Sequence, residues 1–263
     1  MNKILQGDCL EVMKSFEEGC IDLTVTSPPY DNLRDYKGYT FDFEGIAREL
    51  YRVTKEGGVV VWVVGDATIK GSETGTSFKQ ALYFKEIGFK LHDTMIYQKA
   101  GTGACGSNSA YWQSFEYMFI LSKDKPNKVN RIADQSNKRA GAKVNRGRLS
   151  KSGIIKDAKR RIVPAFSVRT NIWRYQSSNG NDRTKHPAQF PEQLAEDHIL
   201  SWSNEGDTVL DPFAGSGTTL KMAKKNNRGY IGIEISPEYI EIIKQRLPSP
   251  SPHTASMRHR YEH

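Results

Sequence analysis

The chain has 263 residues, a hydrophobic fraction of 37% and a formal charge of +8. That length supports one large core, or one core with a modest second lobe, and no stretch approaches the roughly 18 apolar residues of a membrane helix. Cys9, Cys20 and Cys105 are odd in number and form no CxxC pair; with no signal-peptide apolar region at residues 1–8, the reading is against a disulfide framework or structural zinc and for a reducing cytoplasm.

In chain order, 8–16 reads as a short helix and 21–26 as a buried strand. Phe43, Ile46, Ala47, Leu50, Tyr51 and Val53 recur at helical spacing, and Gly57-Gly58 is expected to end that helix. The continuous apolar run 59–64 predicts a strand covered on both faces. A helix over 77–87 follows, and then strands at 91–98 and 115–121 flank the Gly/Ser/Asn-rich stretch 101–109. From 122 to about 174 the sequence shows little periodicity. Order returns at His186-Pro187, with a helix near 191–200, a strand at 208–211, a helix at 216–225, a strand at 229–235 and a helix at 237–247. The Pro/Ser/His-rich end, 248–263, reads as a disordered tail.

Strands alternating with helices predict an α/β fold: a doubly wound, mostly parallel sheet. The 91–98 and 115–121 pair would add an antiparallel edge hairpin. A catalytic domain built from 1–121 and 176–247 is thus interrupted by a basic insertion at 122–175. Residues 123–185 hold 18 Lys and Arg against 4 Asp, a net +14, so the remainder of the chain carries −6. A concentrated positive patch on an acidic body is the footprint of a polyanion partner; a solvated basic loop has the same composition.

Two strings stand at predicted strand ends, where open α/β sheets bind ligands. In Asp211-Pro212-Phe213-Ala214-Gly215-Ser216-Gly217-Thr218-Thr219, the glycines permit a tight turn and close backbone approach to a ligand, and the following helix N-terminus favours an anionic group. Glu234, at the end of the next strand, can accept both hydroxyls of a ribose. It also reads as an ordinary strand-end acid, and the string by itself suits a nicotinamide cofactor as well. No Lys follows the glycines, which removes a Walker A loop.

The other string is Thr26-Ser27-Pro28-Pro29-Tyr30. Each X-Pro bond holds its neighbour extended, and the missing proline N–H groups free carbonyls from the sheet. The Ser27 hydroxyl and the Pro28 carbonyl can then accept both protons of one amino group, while Tyr30 lies flat on an aromatic ring. An exocyclic base amine is a poor nucleophile because its lone pair is conjugated with the ring. Two acceptors at fixed angles favour a pyramidal nitrogen and release that pair, which is catalysis by orientation and preorganised electrostatics. A proline-rich turn with a core tyrosine is the plainer reading of the same string.

TSPPY with the nearby Arg34-Asp35-Tyr36, followed downstream by HPAQFP and DPFAGSGTT, resembles the amino-methyltransferases that act on DNA, in the β order of their motifs. The resemblance covers nearly the whole chain apart from the basic insert and the tail. It implies the Rossmann-like methyltransferase fold, S-adenosylmethionine as cofactor with S-adenosylhomocysteine as product, no metal, and double-stranded DNA as substrate. A cognate restriction endonuclease is an implied partner. Ser27, Pro28, Pro29 and Tyr30 match the catalytic string. Asp211, Phe213, Gly215, Ser216, Gly217 and Thr218 match the cofactor loop, and Glu234 the ribose acid. His186, Pro187, Ala188 and Phe190 match the segment that closes over the methionine end, although His186 also reads as a loop histidine. Asp8, after Gly7, matches the contact to the cofactor adenine or simply caps the following helix. The family's cytosine-N4 enzymes carry Ser-Pro-Pro-Tyr and its adenine-N6 enzymes more often Asp-Pro-Pro-Tyr. Ser27 therefore implies a cytosine-N4 methyltransferase over an adenine-N6 enzyme or a catalytically silent DNA-binding relative. The target base must be flipped out of the duplex to be reached. Arg131, Arg139, Lys143, Arg146, Arg148, Lys159, Arg160 and Arg161 become candidates for phosphate or guanine contacts, and 101–109 a cover for the flipped base. No cysteine follows a proline, so cytosine-C5 chemistry is excluded.

Overall fold

The computed structural model describes residues 2–29, 41–100, 111–145, 148–149, 155–156, 160–176 and 191–247. The chain divides into two compact units, Met1–Asn130 with Ile172–His263, and Arg131–Asn171.

The larger unit opens with strand β1 (Asn2–Gln6) and helix α1 (Cys9–Met13), which Asp8 caps through its carboxylate. Then come β2 (Ile21–Thr26), α2 (Phe43–Val53), β3 (Thr54–Val64), a two-residue hairpin of β4 (Thr68–Ile69) and β5 (Ser72–Glu73), α3 (Thr76–Glu86), β6 (Lys90–Ala100) and β7 (Phe115–Ser122). The smaller unit holds β8 (Ala133–Ser136), β9 (Lys143–Asn145), β10 (Arg148–Leu149), β11 (Ile155–Lys156), β12 (Arg160–Ile162) and β13 (Phe166–Val168). Back in the larger unit are β14 (Ile172–Gln176), α4 (Glu192–Trp202), β15 (Thr208–Asp211), α5 (Thr218–Lys225), β16 (Gly229–Glu234) and α6 (Pro237–Arg246).

Eight strands form one sheet in the order β1-β16-β15-β2-β3-β7-β6-β14. Neighbours are parallel except at β7, which runs against both β3 and β6. This is the doubly wound, mostly parallel architecture expected from the alternation of elements. The β6–β7 hairpin is present, but β14 lies outside it and forms the sheet's edge.

Helices α1, α2 and α3 cover one face. Trp62, completely buried on β3, packs edge-on against Phe84 of α3 at 5.1 Å and donates its indole N–H to Gln80 Oε1 at 2.9 Å. Phe43 of α2 meets the same Phe84 ring at 5.3 Å. On the other face α4 is buried through Leu194, Ala195 and Ile199, and His198 Nε2 lies 3.1 Å from Met118 Sδ on β7. Burial holds the His198 imidazole well below its ordinary range, at about 3, so it is a neutral core residue.

Gly57-Gly58 does not terminate α2, which ends at Val53. The two glycines lie inside β3, where the pairing register with β2 shifts between Ile21 and Leu23. Gly57 has φ +73°, and a Cβ on Gly58 would stand 2.8 Å from the Lys55 carbonyl oxygen. The glycines therefore serve a bulge in a strand.

In the smaller unit β8 pairs with β13, β9 with β12 and β10 with β11, all antiparallel. These nested pairs make a two-stranded ribbon, called the arm below. The expected recognition region, 122–175, spans this arm and extends into the larger unit on both sides. The arm's regularity was invisible to periodicity because a bare two-stranded ribbon has no second layer to bury one face against: Ile162, Phe166 and Val168 are all exposed.

Candidate active site

The strand order sets a row of loop starts along the carboxyl edge of the sheet. Gly7 follows β1, Ile235 follows β16, Pro212 follows β15, Ser27 follows β2 and Gly65 follows β3. Because β15 pairs directly with β2, Val209 with Leu23 and Leu210 with Thr24, the two strings 185 residues apart leave adjacent strands. A side-chain bond joins their bases: Thr26 Oγ1 donates to Asp211 Oδ1 at 2.7 Å, fully buried.

Asp211 also accepts the Phe213 N–H at 3.1 Å through the same oxygen. Burial raises its carboxyl from the ordinary 3.8 to about 6, against the opposing hydrogen bonds from Thr26, Thr219 and Phe213. Phe213 turns back into the core beside Trp62, ring centroids 6.3 Å apart, and anchors the loop to β3. Gly217 then opens α5 at φ +82°, and a Cβ there would press to 3.1 Å on Ile243 of α6. Gly232 of β16 also marks a close approach, since a Cβ would stand 2.3 Å from Leu220 of α5.

Glu234 holds the loop from the neighbouring strand. Its Oε2 accepts the Gly215 N–H at 2.8 Å and its Oε1 the Ser236 N–H at 2.9 Å. Burial raises its pKa, and those backbone donors pull it back. A carboxylate offers about four lone-pair sites, and the Gly215, Ser236 and Ile235 N–H groups all draw on those of Glu234. The acceptor capacity that remains on Glu234 matches a ribose hydroxyl. The donor set thus fits S-adenosylmethionine.

Other matched residues have structural partners of their own. Asp8 Oδ1 accepts from the Leu10 and Glu11 N–H groups at 2.9 and 3.2 Å, so the capping role read from sequence is present, at the end of β1 beside Glu234. Ser216 is buried, and its Oγ and carbonyl both accept from Arg246 Nη1, at 2.9 and 2.8 Å. Arg246 Nη2 bonds Glu192 Oε1 at 2.7 Å, which ties α6, α4 and the glycine turn together. Arg246 carried no sequence signal, since it sits at the polar end of an ordinary amphipathic helix. Asp66 was also missed. It follows the apolar run of β3 and gathers Thr74 Oγ1 at 3.2 Å, the Ser77 N–H at 2.9 Å and the Ser77 hydroxyl. A lone acid immediately after a buried strand was the available cue. Tyr30, Arg34, Asp35, Tyr36, the 101–109 stretch, His186, Pro187, Ala188, Phe190 and the 248–263 tail lie outside the described residues.

The chain is 60% identical over 237 residues to the orphan methyltransferase M.BamHII of Bacillus amyloliquefaciens, across 86% of this chain and 88% of that one. The solved structure of TTHA0409 from Thermus thermophilus, complexed with S-adenosyl-L-methionine, aligns with TM-score 0.63 at 26% identity, over 94% of this chain and 93% of the other. The PvuII DNA methyltransferase (cytosine-N4-specific) shares the fold with TM-score 0.70 at 22% identity, over 98% of this chain and 90% of the other. Residues 21–245, which take in both strand-end strings, match the family described as DNA methylase, and the chain belongs to that family of S-adenosylmethionine-dependent DNA methyltransferases.

Proposed function

We propose that this methyltransferase acts on the exocyclic N4 of a cytosine flipped out of double-stranded DNA. The observation that carries the reading is the serine in Ser27-Pro28-Pro29, at the end of β2 and one strand from the glycine turn. A serine hydroxyl and a proline carbonyl can take both N4 hydrogens of a neutral amine without placing a carboxylate next to it. Bound at Glu234 and the Asp211–Thr218 turn, S-adenosylmethionine supplies a methyl group activated by the positive charge on sulfur. Ser27 and Pro28 orient the amine and hold its nitrogen pyramidal, Pro29 stiffens the turn, and Tyr30 stacks on the base. Ser27 is too weak a base to keep the proton, which passes to solvent after transfer. Asp8 faces the adenine end, and His186, Pro187, Ala188 and Phe190 close over the methionine end.

Residues 1–121 and 176–247 form the catalytic domain in this reading, and 122–175 the target-recognition region. Most of the arm's cations contact phosphate, which sets position on the duplex, and a minority read base edges. The relative from Bacillus amyloliquefaciens is named an orphan methyltransferase. By extension, this chain methylates DNA without needing an endonuclease partner.

The test is incubation with methyl-labelled cofactor and mixed-sequence duplex DNA, followed by digestion to nucleosides. Label in N4-methyldeoxycytidine is expected. Label in N6-methyldeoxyadenosine replaces this reading with the adenine one, and absence of label reduces the chain to a DNA-binding relative.

A further inference from the structure

The chain has four tryptophans, and three belong to the core: Trp62, Trp173 and Trp202 are 0%, 7% and 8% exposed. Trp112 is 64% exposed, and its neighbour Tyr111 is 101% exposed. Neither has a ring partner among the described residues. Two large aromatic side chains held in water forgo the burial that ordinarily places them in a core or an interface.

Their position in the fold is specific. Because β7 runs against its neighbours, the residues just before it rise from the carboxyl edge, the same edge as the active site. Gln98 of β6 pairs with Phe115, and the Lys99 N–H bonds the Ser114 carbonyl at 2.8 Å, so the segment is fixed up to residue 114. Thr26 pairs with Trp62 and Val63 with Met118, which sets Ser27 level with Met118. Trp112 lies six residues further along, at most ~20 Å above that level at ~3.3 Å per residue, and two strand spacings, ~10 Å, to the side. An aromatic footing supports the segment: Phe115 packs on Tyr117 at 5.3 Å, and Tyr117 on Phe78 of α3 at 5.2 Å. In sequence, 98–114 contains no Asp or Glu and has one Lys, so nothing there repels a phosphate backbone.

We propose that Trp112, flanked by Tyr111, stacks against the base pairs next to the extruded nucleotide and stabilises the opened duplex. The inference rests on the DNA-methyltransferase reading but not on which base is modified. A nucleotide that reaches Ser27 hangs from a duplex lying above the strand ends, at the height where Trp112 projects. Extrusion leaves an unstacked face in the duplex. An exposed indole covers such a face without reading its sequence, as apolar wedges and stacking platforms do in other nucleic-acid complexes. Trp112 is therefore a positioning residue: it acts on the duplex and leaves the reacting amine to Ser27 and Pro28.

The experiment uses the full chain: iodide quenching is read with S-adenosylhomocysteine and mixed-sequence duplex, and methylation with S-adenosylmethionine and a duplex carrying the position at which sequencing of methylated DNA locates the mark. Iodide should quench the free protein's tryptophan emission mainly through Trp112, and duplex should protect it. Trp112→Phe should lack that signal and keep most of the activity. Trp112→Ala should lose ~10-fold to ~100-fold in methylation of fully paired duplex, the range expected for one stacking contact. It should recover when the target base faces an abasic position, because extrusion is then already favoured. Wild-type protein that methylates the duplex while Trp112 stays open to iodide overturns the proposal and leaves the reaction standing. So does a Trp112→Ala variant whose loss is equal on paired and abasic DNA. Protection by duplex in a protein that transfers no methyl group has the opposite meaning: the contact stands and the reaction falls.

Discussion

Thr26 and Asp211 join the bases of the two strand-end strings. They end adjacent parallel strands, and their 2.7 Å hydrogen bond is inaccessible to water. Because burial holds Asp211 at about 6 against an ordinary 3.8, the folded protein keeps a proton between those values that the unfolded chain has released. Stability contributed at this position is therefore highest at low pH, falls as pH rises from about 4 to about 6, and is constant above that. The change is worth roughly 3 kcal/mol at 1.36 kcal/mol per pH unit. Asp211→Asn carries no such proton, so its unfolding free energy should gain on the wild type by about that amount across pH 4–6 and run parallel to it above. Urea titrations at stepped pH measure this, and a constant difference between pH 4 and 6 would show that Asp211 titrates normally.

Glu234 makes a separable prediction. It holds Gly215 and Ser236 through backbone donors and keeps acceptor capacity toward the pocket. Glu234→Gln exchanges one acceptor for a donor that faces an N–H and removes the charge. Cofactor affinity should fall about 10-fold to 100-fold, as expected for a charged hydrogen bond of roughly 1.5–3 kcal/mol. Calorimetric titration with S-adenosylhomocysteine provides the number, and unchanged affinity would remove Glu234 from the ribose site.

Ser27→Ala should lower turnover by about 100-fold, similar to the loss of one preorganised hydrogen-bonding group at a reacting centre, while duplex affinity changes little. Tyr30→Ala should behave in the same direction, since in the proposed mechanism both act on the base only after it has left the helix. Single-turnover methylation and a binding isotherm on the same DNA separate the two effects. Equal losses in rate and affinity would mark these residues as structural.

The core strands were readable because burial on both faces writes an unbroken apolar run, as in 59–64. The two strings were readable as strand ends because short glycine and proline runs have few physical uses inside a strand, and they do follow β2 and β15. Two strands of the main sheet were not. In β1, Asn2-Lys3-Ile4-Leu5-Gln6, only the two central residues are apolar and neither is fully buried. β14 does alternate, with Trp173 and Tyr175 buried between exposed neighbours, but that pattern directly follows the arm and its basic composition obscured it. What no local pattern could reveal was the tertiary partner. Thr26 looks like one more strand residue until β15 is placed beside it, and Arg246 gains its meaning from Ser216 and Glu192.

The arm gives the last prediction. Arg131–Asn171 contains 12 Lys and Arg against 2 Asp, a net +10 that exceeds the +8 of the whole chain. Asp134 is taken up by Arg169, with Nε and Nη2 both on its carboxylate, which holds that carboxyl below its ordinary range. Arg139, Lys143 and Arg161 are exposed on the ribbon and its connecting turn. A ribbon of this width can enter the major groove, and its cations displace counterions from phosphate whatever the sequence. Duplex affinity should therefore fall steeply with salt, and the slope of log affinity against log salt should shrink by about 1 for each phosphate-contacting cation replaced by alanine. Arg139→Ala and Arg161→Ala should each do this without altering cofactor affinity. A residue that instead reads a guanine would leave other sequences bound as before and weaken the target alone by roughly 1–3 kcal/mol. Fluorescence anisotropy on target and scrambled duplexes across a salt series distinguishes the two roles. If both variants bind with wild-type affinity and slope on both duplexes, these two arginines lie off the DNA.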